Sequence, residues 1–168
     1  MISFVNRQRK ERLDRKHIER VAEAALAAVL GRALADRLEV GITFISDEPM
    51  RRLNFQYRGI DTPTDVLSFP YFELPSPYTT KLADHEADLH HALDEEEFES
   101  VLGEIVIATP TARRYAQKLS LTFPDEIQTL VIHGILHLCG YDHETDNGEM
   151  TRLERRLRKR LIEPRAEW

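Results

Sequence analysis

Residues 127–138 contain an apolar run, Ile127, Leu130, Val131, Ile132, Ile135, Leu136 and Leu138. It is hydrophobic nearly all round a helix, and a helix of that kind has to be central and buried. The requirement constrains the rest of the chain, because a sheet and further helices must be built around it. Pro124-Asp125-Glu126 opens the segment, with the proline at a position that needs no N–H and the acids beside the positive end of the helix dipole. The same helix carries His133 and His137, four residues apart and therefore on one face. Gly140 follows where the chain can turn back and deliver His143. Three imidazoles so placed form a site for one metal ion per chain. Neutral imidazole suits zinc, and three protein ligands with a fourth position open is the arrangement of catalytic Zn2+. Ligands carried on a helix locked in a core are also preorganised.

The full spacing, H-x-x-x-H-x-x-G-x-x-H, coincides with the zinc motif of the metzincin peptidases, except that Gly134 replaces the glutamate after the first histidine. In those enzymes the glutamate takes the proton from the water on the metal. A chain with Gly134 there has the metal site without the peptidase's base, and peptidase activity is not expected. Cys139, the only cysteine, leaves the helix on a different face from His137 and reads as a small buried residue. A single cysteine allows no intrachain disulfide, which suits a reducing compartment.

Around this helix the periodicities predict a strand over 2–6 and a helix over 11–30, with Ile18, Val21, Ala22, Ala25, Leu26 and Val29 on its inner stripe. A second strand covers 39–46. Asp47 reads as the N-cap of a helix reaching Tyr57. Strands over 65–71 and 102–109, a helix over 110–119 and a final helix over 144–161 complete the pattern. The expected fold is one α+β domain over 1–168, with a small four-stranded mixed sheet, about five helices and a zincin-like metal helix in the core. No apolar segment is long enough to cross a membrane, and the N-terminus lacks a signal-peptide core. These features point to the cytoplasm.

The net charge of −6 is unevenly spread. Residues 73–100 hold nine acids against one base, Lys81, a local −8 that leaves +2 for the remainder. With Pro75, Pro77 and the run Asp94-Glu95-Glu96-Glu97, this stretch reads as a mobile acidic insertion with a short helix in its middle. His85, His90 and His91 within it are read as solvated, not as a second metal site. Bases cluster from Arg7 to Arg20 and again from Arg152 to Arg160. Solvated helix faces account for either run alone, and cations near a helix C-terminus are favoured by the dipole. Two runs beside a hydrolytic metal tilt the reading towards phosphate contact.

His133-Gly134-x-Leu136-His137-Leu138-x-Gly140-Tyr141-Asp142-His143 resembles the signature of the YbeY family, bacterial ribosomal RNA maturation factors described as zinc-dependent endoribonucleases. Tyr57-Arg58-Gly59-Ile60-Asp61-Thr62-Pro63-Thr64-Asp65-Val66-Leu67-Ser68-Phe69-Pro70 resembles the family's other characteristic segment, and Leu102-Gly103-Glu104-Ile105-Val106-Ile107 the strand after it. The resemblance implies a zinc-dependent endoribonuclease specific for single-stranded RNA, acting in 16S ribosomal RNA 3′-end maturation and ribosome quality control. It also implies a small-subunit ribosomal protein and an assembly GTPase as partners. Arg58 matches the family arginine with a catalytic or substrate role, and its guanidinium suits bidentate phosphate binding. From residue type alone, Arg58 reads as an ion-pair partner of Asp61 or Asp65.

A three-histidine zinc brings bound water towards a pKa of about 7 and polarises a phosphoryl oxygen, and the transition state calls for a further fixed cation. Asp142 reads as the group that orients an imidazole. Glu104 is another candidate proton acceptor, or else a residue that caps or pairs at its strand. Without the resemblance, the residues reach a metal-assisted hydrolase with basic surfaces. The rival readings are a ribosome assembly factor with a structural zinc and a metallopeptidase-like hydrolase with a displaced base.

Overall fold

The computed structural model describes residues 1–71, 81–94 and 100–162. Strands β1 (Ile2–Asn6), β2 (Glu39–Ile45), β3 (Val66–Pro70) and β4 (Val101–Ala108) form a four-stranded sheet in the order β1-β2-β4-β3. β1 pairs with β2 and β2 with β4 in parallel, whereas β3 runs antiparallel to β4. Seven helices are present among the described residues: α1 (Arg15–Leu30), α2 (Arg32–Ala35), α3 (Asp47–Arg58), α4 (Glu86–Asp94), α5 (Thr109–Lys118), α6 (Phe123–Leu138) and α7 (Glu149–Leu161). The α+β domain with a mixed sheet is the expected one. Beyond the five long helices expected, α2 adds one turn after Gly31, and α4 is the short helix of the acidic stretch.

Alternation along the strands sorts side chains onto two faces. Ile42, Phe44, Ile105 and Ile107 enter the main core, which α1 and α6 close with Ile18, Val21, Leu26, Ile127, Val131 and Ile135. Val106 and Ala108 point the other way, into a smaller cluster with Ile45, Met50 and Leu67. The apolar run of α6 is buried as its composition demands, and α6 packs against α1, α5, α7, β3 and β4. On α1 the inner stripe ends with Leu30, and Val29 is only partly covered.

Side-chain caps move two predicted helix starts, and a third shifts by one residue. α1 begins at Arg15 because Asp14 accepts the His17 N–H at 3.1 Å, and Glu11 instead binds the Arg113 guanidinium from α5. Ser46, not Asp47, holds the N-cap position of α3. Asp47 accepts from the Thr111 hydroxyl and from Arg114, each at 2.8 Å, which ties α3 to α5. The last helix starts at Glu149, not near Glu144, because the Asp146 carboxylate collects the N–H groups of Gly148, Glu149 and Met150.

The short helix expected in the middle of the acidic stretch is present as α4, and it is anchored to the core. Leu82 and Leu89 join the main core, and the Leu82 N–H donates to the Cys139 carbonyl at 3.0 Å. Arg37 pairs with Asp94 at 2.8 Å, and Lys81 with Glu149. The acids of α4 lie on its outer side, so charge count alone conceals an amphipathic element. The proline-containing part and most of the Asp94–Glu97 run fall outside the described residues.

Leu89 is 1% exposed, so Leu89→Ala removes a fully buried side chain. The expected loss in chemical denaturation is about 2–4 kcal/mol, the usual cost of a large-to-small core change. An unfolding midpoint equal to the wild type's would put α4 outside the cooperative core.

Candidate metal centre

The placement of α6 begins with Gly134. A Cβ built there would lie 2.7–2.9 Å from three side-chain atoms of Ile105, closer than real Cβ atoms come. The helix therefore approaches β4 only with glycine at this position, and a glutamate would be driven into Ile105. The absence of the peptidase's base is a packing requirement of this fold. With that side held against the sheet, His133 and His137 emerge on the face that remains partly open.

After Leu138 the chain turns at Gly140, whose φ of 84° is a conformation glycine adopts without strain. Asp142 then organises the next turn. Its carboxylate accepts the Glu144 N–H at 3.0 Å and the Thr145 hydroxyl at 3.2 Å, and its carbonyl accepts the Asp146 N–H at 2.9 Å. This turn presents His143. The three imidazole rings lie 4.6, 5.4 and 5.3 Å apart between centroids, and one nitrogen from each falls within 4.8 Å of the others.

The arrangement fits a metal ion. Nε2 of His133 and Nε2 of His137 are 3.0 Å apart, close to the roughly 3.3 Å between two nitrogens that each sit about 2.0–2.1 Å from a shared tetrahedral zinc. Burial, followed by the neighbouring His133 and His143, holds the His137 pKa below the usual imidazole range. This favours the neutral form, which is the one that ligates. Among the described residues this is the one cluster of three or more potential ligands. His85 pairs with Asp88 and His90 with Arg37.

The group that orients an imidazole is Glu154 of α7, not Asp142. Its carboxylate lies 2.9 Å from His133 Nδ1, so an N–H on that nitrogen leaves Nε2 free to ligate. Arg158, one turn further on, stands 3.8 Å from the other carboxylate oxygen. Glu154 is hidden in the sequence within the basic run of α7, and the signal available was one acid amid bases with an arginine four residues later. Cys139 is fully buried, and burial pushes its thiol far up, away from the ligating thiolate. Glu104 lies away from the histidines, where it accepts the Thr43 hydroxyl at 2.7 Å.

The histidines open into a cleft of about 900 Å³, walled by β3, the end of α3 and the turn after α6. Arg58 is the one arginine or lysine among its lining residues. Neither acid proposed as its ion-pair partner holds it. Asp61 pairs with Arg51, and Asp65 accepts the Val66 N–H and the Thr64 hydroxyl at the start of β3. Arg58 instead stands 3.7 Å from Glu144 with half its side chain exposed. Exposed pairs of this kind are weak, so the guanidinium is available to an anion entering the cleft. The arrangement combines three converging imidazoles, one of them paired with a carboxylate, and a weakly paired cation in one open site.

A family profile described as endoribonuclease YbeY matches residues 3–162. Relatives carrying that name include proteins of Persephonella marina, 36% identical over 83% of this chain and 79% of theirs, and of Heliobacterium modesticaldum, 41% identical over 83% and 78%. That of Caldanaerobacter subterraneus is 36% identical over 94% of this chain and 92% of its own. The solution structure of TM1509 from Thermotoga maritima superposes with a TM-score of 0.57 at 27% identity, over 96% of this chain and 89% of that one. The match spans β1 to α7 and takes in both the histidine helix and the Arg58 segment, and on that ground the chain belongs to the endoribonuclease YbeY family.

Proposed function

We propose that this protein is a zinc-dependent endoribonuclease that cleaves single-stranded RNA, with His133, His137 and His143 holding the ion and Arg58 acting on the phosphate. The observation that carries the reading is three converging imidazole nitrogens, one of them oriented by Glu154, opening into a cleft whose lining cation is Arg58. Relatives named as endoribonucleases support it. Within the family reading, the substrate is small-subunit ribosomal RNA, the process 16S 3′-end maturation and ribosome quality control, and the partners a small-subunit ribosomal protein and an assembly GTPase. No helix among the described residues is long and apolar enough to cross a membrane, in keeping with work in the cytoplasm. The whole chain is read as one such domain, with 73–100 an acidic insertion whose middle is built into the core.

Zinc in this site supplies Lewis acidity towards a phosphoryl oxygen and a source of hydroxide at neutral pH. The protein supplies the rest. Burial of α6 fixes two imidazoles and the Asp142 turn fixes the third, so little reorganisation is needed when the ligands engage. Glu154 holds His133 in the ligating tautomer. Arg58 exchanges its exposed contact with Glu144 for a phosphate oxygen and stabilises the charge that grows on phosphorus. The cleft admits an extended strand, whereas a catalytic acid in the place of the peptidase glutamate is excluded by Ile105.

Three outcomes follow from these assignments. His143→Ala should lose most of its metal and melt lower than the wild type, because an ion bound only by the folded state stabilises it; full occupancy in metal analysis would remove His143 from the ligand set. Glu154→Ala should keep the fold and weaken metal affinity by roughly 10–100-fold, the usual cost of losing a histidine's carboxylate partner. Competition with a chelator measures this, and an unchanged dissociation constant would make the contact incidental.

Arg58→Ala should keep its metal yet lose roughly a hundredfold or more in single-turnover cleavage of a labelled single-stranded RNA, as expected for about 3 kcal/mol from one preorganised charge donor. RNA affinity should change far less, since the interaction matters most in the transition state. A folded, metal-replete Arg58→Ala protein as active as the wild type would leave Arg58 a surface ion-pair residue.

A further inference from the structure

A second groove, of about 590 Å³, lies on the face of the sheet turned away from α1 and α6. Thr43, Glu104 and Val106 line it from β2 and β4, while α3 and β3 contribute aromatic rings. Tyr57 is 58% exposed, and Phe69 packs edge-on against it at 4.8 Å between centroids. Tyr71 is 57% exposed, just beyond the end of β3. Single exposed aromatics are ordinary, but three lining one groove form a stacking surface.

Charge within the groove is arranged by depth. The Glu104 carboxylate is partly buried, accepting from the Thr43 hydroxyl at 2.7 Å and the Tyr71 hydroxyl at 3.4 Å. A carboxylate has about four acceptor positions, so it can take further donors. Arg7 and Arg52 also line the groove and are exposed. Arg52 contacts Glu48 at 3.1 Å, a surface pair readily exchanged for another anion. The groove adjoins the metal cleft, with Tyr57 and Phe69 lining both.

We propose that this groove binds the nucleotides of single-stranded RNA adjacent to those held at the metal, with bases stacked on Tyr57 and Tyr71 and phosphates at Arg7 and Arg52. The proposal rests on the ribonuclease reading above and extends the substrate path beyond the cleft. The sign of the charges sets the strand's orientation: a carboxylate below repels phosphate and accepts hydrogen bonds from a base edge, and two guanidiniums at the surface attract the backbone. Unpaired bases are read on such edges while stacked on aromatic rings. Guanine offers two adjacent N–H donors to a carboxylate, and cytosine and adenine offer an amino group. Uracil offers one N–H between two repelling carbonyls. The position over Glu104 therefore selects against uracil.

The test compares kcat/KM of the full-length, metal-loaded protein on single-stranded RNAs from about two to about ten nucleotides long. In the wild type, kcat/KM should rise as the RNA becomes long enough to reach the groove. Tyr71→Ala should cut that rise by roughly tenfold, the scale of one lost base stack, and Tyr71→Phe should restore it. Glu104→Gln should weaken the discrimination against uracil. A folded, metal-replete Tyr71→Ala protein with the wild type's length dependence overturns the proposal and leaves the groove to a protein partner or to none.

If the wild type cleaves none of these RNAs, the ribonuclease reading fails separately. The intact RNAs then serve as ligands: weaker binding by Tyr71→Ala keeps the groove proposal, and equal binding overturns it. Should Tyr71→Ala not fold, Arg7→Ala at its exposed position decides the matter. Its binding of the longest RNA should show a shallower salt dependence, by roughly the share of one phosphate, and an unchanged slope counts against the groove.

Discussion

Burial of α6 is the constraint on which the rest of the structure depends. Its apolar side chains are covered by the sheet and by α1, α5 and α7, and it packs closely on β4 at Gly134, against Ile105. Those contacts fix both the rotation and the height of the helix. His133 and His137 then have one direction in which to emerge, and their separation follows from the helical repeat. A ligand pair positioned by the core of a domain moves only when the core moves, which is a physical basis for a preorganised metal site.

The remaining parts of the site are attached to this frame by polar contacts. Glu154 reaches His133 from α7, and the start of α7 is set by Asp146. The Asp142 turn between α6 and α7 carries His143. Arg58 sits at the end of α3, which Asp47 ties to α5. Each contact is modest, and hydrogen bonds of this kind contribute about 0.5–1.5 kcal/mol net. Their effect is geometric, since together they bring a cation and three imidazoles from different elements to one cleft.

The sequence made the centre of the molecule legible and its periphery less so. A helix apolar on all sides can only be buried, so α6 and its histidines followed from residue pattern, as did the four strands. Helix starts were misplaced where a side chain outcompeted the pattern: Asp14 shortens α1, and Asp146 delays α7. Charge density disguised the segment around Leu82 and Leu89, because acids on the outer side of α4 outnumber the few leucines that anchor it. Proximity in sequence to His143 singles out Asp142 as the carboxylate that orients an imidazole, yet the imidazole contacted by a carboxylate is His133, and the carboxylate is that of Glu154, twenty-one residues further on. Such pairings depend on how two helices dock, which local spacing does not encode.

The central claim is that one ion held by three histidines makes this cleft a ribonuclease. Titrating zinc into chelator-stripped protein, while following single-turnover cleavage of a labelled single-stranded RNA, tests it most directly. Activity should be absent in the stripped protein and rise linearly to a plateau at one zinc per chain. Cleavage that persists undiminished in the stripped protein would contradict the account.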